Sequence, residues 1–240
     1  MTTEEVYREL EKDMSDVAGW WMKKRQLQVR IAKWTTKLPR TTWFDYSSSR
    51  KNRYIVLSII IGRKYDDSGL TALVALQKME RGYAVYTWKF PWQCMASPHA
   101  YHPHVFDRYA ERAGIKKTGI ELIKHFMERN AYGEVLQGDQ FMGSSVRYKG
   151  RANMAKCVRD GVLLGEMQGN VFFSHTFITY DMANDLQHED FERNRGMIKS
   201  NEDILRDFRN KERQEYQQAR DEAFWILAQN FISSKDRSCN

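Results

Sequence analysis

Apolar side chains at positions 6, 10, 14, 17, 20/21, 27, 31 and 34 recur at helical spacing, which predicts a helix over residues 3–36, broken near Gly19. Pro39 ends that region, and "TWFDYSSSRKN" (42–52) reads as a loop with turn-prone serines. Two β-rich runs follow, 53–64 and 70–90, joined by the turn signal "YDDSG". A second turn, "ERG" at 80–82, divides the latter run into strands near 70–79 and 83–89. "PWQCMASPHAYHP" (91–103) has no period, whereas Pro103 suits the first turn of a helix over 103–113 that stops at Gly114. The capping box Thr118-x-x-Glu121 opens another helix, with Ile120, Ile123, Phe126 and Met127 as its apolar stripe. From 144 the period changes to two. Turn signals at Gly150, Asp160-Gly161 and Gly169-Asn170 then predict three or four antiparallel strands. Helices at 181–192 and 201–232 make up a C-terminal helical region, 181–233. The pattern is that of a single α+β domain over 1–240: an antiparallel sheet with two central helices and helical extensions at both ends.

No apolar run approaches the roughly 20 residues of a membrane span. The best candidate, "YIVLSIII" at 54–61, is strand-length. The acidic, amphipathic start "MTTEEVYRELEKD" is the reverse of a secretory leader. Three widely spaced cysteines, Cys94, Cys157 and Cys239, argue against a disulfide framework and a Cys-based zinc knuckle, and for a reducing cytoplasm.

The net charge of +7 changes the picture because it is concentrated. Residues 1–19 carry six acids and two bases, whereas residues 20–64 carry twelve bases and one acid. The helical and basic N-terminal region, 1–52, therefore offers Lys23, Lys24, Arg25 and Arg30 as phosphate contacts, interleaved with Trp20, Trp21, Trp34, Trp43, Phe44 and Tyr46. Those aromatics suit either base stacking or a core. Within 145–151, Arg147, Lys149 and Arg151 alternate with Val146, Tyr148 and Gly150, so a strand there would present three cations on one face. Such a face suits a polyanion, and equally an exposed edge protected against aggregation.

The histidines offer three readings. His99-x-x-His102-x-His104 lacks the i, i+4 pair of helical zinc sites, so no metal site is expected, and His99 and His102 read as surface or capping residues. On a helix from 103, His104, Arg108 and Glu111 share one face while Phe106, Tyr109 and Ala113 face a core. Imidazole, guanidinium and carboxylate in a row can hold a phosphate and move a proton near neutral pH, although the same row can be an ordinary solvated face. His175, in "FFSHTFIT", is a further candidate partner for that row, or a buried hydrogen-bonded histidine. No GxxxxGK[ST], GxGxxG or GxSxG occurs, and no cofactor is expected.

"HPHVFDRYAERAGIKKTGIELIKHFMERN", with the antiparallel strands after it, resembles the small mobile-element families related to the BrnT and RelE toxins. The residues that carry the resemblance are His104, Arg108, Glu111 and Arg112, and it covers about residues 99–180. It implies two helices against an antiparallel sheet and metal-independent RNA cleavage. In that chemistry His104 would be the general acid or base, Glu111 its partner, and Arg108 with Arg112 the phosphate clamps. The expected partner is nucleic acid, RNA favoured. The alternative is a non-catalytic factor of a phage or mobile element that binds nucleic acid or a protein partner.

Overall fold

The computed structural model describes residues 1–34, 40–60, 68–90, 98–130, 133–137, 153–183, 185–197 and 210. Met1–Asn201 form one compact unit and Glu202–Asn240 a second. The helix expected over 201–232 and the strand expected over 145–151 lie outside the described residues.

Thr2 starts α1 (Thr3–Glu11): its hydroxyl accepts the Glu5 N–H, and the Glu5 carboxylate accepts the Thr2 N–H at 2.7 Å. The chain then turns at Lys12 and Asp13 before α2 (Met14–Trp34). The break therefore falls at Asp13, not at Gly19, which is accommodated inside α2. Asp13 is 1% exposed, and its Oδ2 accepts from the Tyr54 hydroxyl and Asn52 Nδ2, both at 2.8 Å. Arg50 Nε lies 3.6 Å from its other oxygen. Burial pushes the Asp13 carboxyl up, but the bonds from Asn52, Ser48 and Tyr54 and the Arg50 charge outweigh it and hold the carboxyl below the ordinary Asp value. Asp13→Ala is expected to cost about 1–2 kcal/mol in urea denaturation, because the half-buried Asn52 amide loses its acceptor and the buried Tyr54 hydroxyl keeps only the longer bond to the Leu10 carbonyl, at 3.3 Å.

The strands are β1 (Arg40–Ser47), β2 (Arg53–Ile60), β3 (Ser68–Lys78), β4 (Tyr83–Phe90), β5 (His99–Tyr101), β6 (Gly133–Gln137), β7 (Asn153–Val158), β8 (Gly161–Gln168) and β9 (Val171–Ile178). Among the described residues they form one sheet in the order β1-β2-β3-β4-β5-β9-β8-β7-β6. Every described pairing is antiparallel except β5 with β9, which is parallel. Three-residue β5 is thus the seam between two antiparallel halves. The stretch expected to be a loop at 42–52 is instead mostly β1, whose Trp43, Phe44 and Tyr46 pair with Leu57, Val56 and Tyr54. The region expected to be irregular before Pro103 contains β5.

Strand alternation gives the sheet two apolar faces. Ile55, Val74, Val85, Tyr101, Leu163 and Phe177 pack against Phe106 and Tyr109 of α3 (Pro103–Arg112) and Ile123 and Phe126 of α4 (Gly119–Asn130). On the opposite face, Tyr54, Val56, Leu73 and Tyr86 receive Val6 and Leu10 of α1 and Val17 and Trp21 of α2. Cys157 and Val162, also turned away from α3, pack with Tyr180 and with Phe191 of α5 (Asp185–Met197). The helix expected from 181 thus begins only after a 3-10 turn at Tyr180–Met182. The architecture is α+β, a mixed, mainly antiparallel sheet with helices on both faces. Among the described residues no helix is long and apolar enough to cross a membrane.

The aromatics of the basic stretch join this core. Trp20 lies 4.7 Å from Tyr46 and 6.5 Å from Phe44, and Trp21 lies 5.9 Å from Phe44, centroid to centroid. These contacts bind α2 to β1, whereas Lys23 and Arg30 are exposed and Lys24 is half-buried.

Candidate active site

His102 caps α3. Its backbone is extended (φ −67°, ψ 145°), and its Nδ1 accepts the His104 backbone N–H at 3.2 Å. Pro103 follows at the first helical position, where its missing N–H costs nothing. Val105, Phe106 and Tyr109 are buried, so the helix must present His104, Arg108 and Glu111 away from the core. These three form a hydrogen-bonded row: Arg108 Nε donates to His104 Nε2 at 3.1 Å, and another guanidinium nitrogen donates to Glu111 Oε2 at 2.6 Å. A guanidinium has no acceptor, so His104 Nε2 carries a lone pair and the ring proton sits on Nδ1. Arg112 does not join the row. Its guanidinium donates to the backbone carbonyl of Phe177 in β9, tying α3 to the sheet rather than standing beside Arg108 as a clamp.

His175 reaches this end of α3 through an irregularity in β9. Gly165 of β8 pairs with Ser174 and Leu164 with Thr176, so His175 stands between them as a bulged residue. Gly165 is required there, because a Cβ would lie 2.0 Å from the Phe173 carbonyl oxygen. The exposed His175 ring stands 4.8 Å from Phe173, and Phe173 stands 6.2 Å from His102. His175 Nε2 lies 3.5 Å from Glu166 Oε1, a carboxylate that is 7% exposed and also accepts from Gln168 Nε2 at 2.8 Å. His102 titrates below the ordinary histidine value, through burial first and then the charges of His175 and His104, with Asp107 opposing. Imidazoles from the start of α3 and from β9 therefore share one electrostatic environment.

His99 is not a surface or capping residue. It is 6% exposed in β5, its ring 4.7 Å from Tyr101. Lys156 Nζ stands 3.3 Å from His99 Nδ1, and His99 Nε2 stands 3.2 Å from the Ser174 hydroxyl. With Lys156 as an ammonium, which can only donate, Nδ1 accepts and Nε2–H donates to the Ser174 oxygen. The cluster joins β5, β9 and β7. Among the described residues no group of three or more His, Cys, Asp and Glu side chains could hold a metal ion.

A second polar knot sets the other end of α3. Asp160, in the turn from β7 to β8, accepts from Arg129 Nε at 2.8 Å and its terminal nitrogen at 2.6 Å, from the Tyr109 hydroxyl at 2.8 Å and from Asn130 Nδ2 at 3.1 Å. Its own N–H donates to Asn130 Oδ1 at 3.0 Å. The turn was legible from Asp160-Gly161; the carboxylate that pins α3 and α4 to it was not.

Of the remaining candidates, Arg147, Lys149, Arg151 and the side chain of Arg25 lie outside the described residues. Glu166 was missed in the sequence. Its signal was the turn at Gly169-Asn170, which sets Glu166 opposite Phe173 and so diagonal to His175. No family model, curated protein or solved structure matches the chain.

Proposed function

We propose that the protein binds nucleic acid, RNA first, and cleaves its phosphodiester bonds without a metal at the start of α3. The observation that carries this reading is the hydrogen-bonded row of His104, Arg108 and Glu111 at the start of α3, with the His175–Glu166 pair on the adjoining strands. An entering phosphate draws the Arg108 guanidinium from His104, and Glu111 keeps that guanidinium in place. The freed His104 Nε2 takes the proton of the ribose 2′-hydroxyl as its oxygen attacks phosphorus. The phosphorus–5′-oxygen bond breaks, and His175, oriented by Glu166, gives the departing oxygen its proton. The products are a 2′,3′-cyclic phosphate and a 5′-hydroxyl.

The test is incubation of labelled single-stranded RNA with and without EDTA. EDTA-resistant cutting that His104→Ala removes supports the reading. No cutting and no retention of RNA would defeat both cleavage and nucleic-acid binding.

Binding without cleavage is a second reading, favoured by one observation: Arg108 and Arg112 already have protein partners. Affinity would then come from charges such as Lys23, Lys24 and Arg30. Lys23→Gln with Lys24→Gln is expected to reduce the slope of log K against log salt by about 1 to 2, measured by fluorescence anisotropy. His104→Ala would leave that binding unchanged.

A further inference from the structure

The row on α3 has no spare positive charge with which to draw in a polyanion. Within α3, Arg108 and Arg112 are balanced by Asp107 and Glu111. Arg108 is held by His104 and Glu111, and Arg112 by the Phe177 carbonyl. Glu166, beside His175, adds a further carboxylate. A grip on RNA at this row therefore needs cations from an adjoining element.

The tip of the β3–β4 hairpin carries two. Lys78 pairs with Tyr83, and the Met79 N–H donates to the Gly82 carbonyl at 3.0 Å, closing the turn over Glu80 and Arg81. Gly82 takes φ +86°, which glycine adopts without strain, and a Cβ on it would lie 3.4 Å from the Pro103 Cβ. The turn is thus seated against the first residue of α3, the one between His102 and His104. Val85 pairs with Tyr101, so Tyr83 comes level with Pro103, and Lys78 lies two strand spacings, about 10 Å, from the helix start. Alternation puts Lys78 on the α3 face of the sheet, after Val74 and Leu76. Lys78, Glu80 and Arg81 are all exposed. Among the described residues neither Lys78 nor Arg81 makes an ion pair or a side-chain hydrogen bond, in contrast to Arg108 and Arg112.

We infer that this hairpin tip is the RNA-gripping lip of the α3 site, with Lys78 and Arg81 holding backbone phosphates beside the one at His104. Glu80, between the two cations, weakens that grip. The inference rests on the cleavage reading for its substrate and names an element which that reading does not use.

The test measures binding of the full chain to a single-stranded 2′-O-methyl RNA, which cannot be cut, by fluorescence anisotropy, and cleavage of the unmodified RNA of the same sequence. Lys78→Gln and Arg81→Gln should each weaken binding about three- to tenfold at low salt and lower the salt slope by about 1. KM should rise by the same factor while kcat stays unchanged, and Arg81→Lys should restore most of the loss. Glu80→Gln should tighten binding, a gain that a damaged fold does not produce. Lys116→Gln removes an exposed cation beyond the far end of α3 and should change none of these values. RNA that is bound and cut with the hairpin variants behaving like Lys116→Gln overturns this inference alone. Binding that depends on the hairpin without any cutting removes the cleavage reading and keeps the hairpin as the grip. Absence of RNA binding overturns both.

Discussion

Asp160→Ala is expected to cost about 3 kcal/mol of stability in urea denaturation at neutral pH. The carboxylate is the common acceptor for Arg129, Tyr109 and Asn130, so its removal orphans three donors from α3 and α4 at once. The Arg129 side chain is 38% exposed, so water takes up part of its loss and the low end of the range for a broken buried pair applies. Burial pushes the Asp160 carboxyl up, but bonds from Arg129, Tyr109 and Asn130 and the Arg129 charge outweigh it and hold the carboxyl below the ordinary Asp value. A depressed carboxyl contributes stability that is fully present above the unfolded value of about 3.9 and is lost as pH falls through the folded value. The difference between wild type and Asp160→Ala should therefore be level from about pH 5 upward and shrink below about pH 4. A difference that persists undiminished in acid would assign the loss to packing instead.

His104→Ala is expected to lower RNA cleavage about 10²- to 10⁴-fold, the usual contribution of a positioned acid or base. His175→Ala should lower it by a similar factor, while stability stays within about 0.5 kcal/mol because His175 is exposed and His104 only half-buried. Glu166→Gln acts through His175 as a positioning change, with an expected loss of about tenfold and a shifted pH–rate profile. His102→Ala separates structure from chemistry. It removes the Nδ1 acceptor at the start of α3 and should cost about 0.5–1 kcal/mol of stability. These effects are read from single-turnover rates and urea midpoints of the same preparations. Equal loss in all four variants would indicate a general collapse of the α3 start, not distinct roles.

The row on α3 was legible because a ten-residue amphipathic helix behind Pro103 leaves no freedom in which side chains share a face. The strands at 68–78 and 83–90 and the turns at Asp160-Gly161 and Gly169-Asn170 were legible for a similar reason, since period two and turn chemistry are local properties. What failed was non-local. The serines after Tyr46 masked an edge strand whose Trp43 and Phe44 gain their sense only from pairing with β2. Three-residue β5 has too few positions to show a period, yet it joins the two halves of the sheet. Gly165 gave no hint that it shapes a bulge on the neighbouring strand, so the place of His175 beside Glu166 and His102 could not be read. Arg112 looked equivalent to Arg108, and only the approach of the Phe177 carbonyl distinguishes them. The polar knots at Asp13 and Asp160 join residues 30 to 51 positions apart through side chains that composition treats as surface.

The most direct measurement compares one labelled single-stranded RNA with the DNA of the same sequence, both incubated with the full chain in EDTA, with the product ends identified by mass. The account predicts that RNA is cut, leaving 2′,3′-cyclic phosphate and 5′-hydroxyl ends, and that DNA, which lacks the attacking 2′-hydroxyl, remains whole. Equal cutting of both strands, cutting that EDTA abolishes, or intact RNA would contradict it.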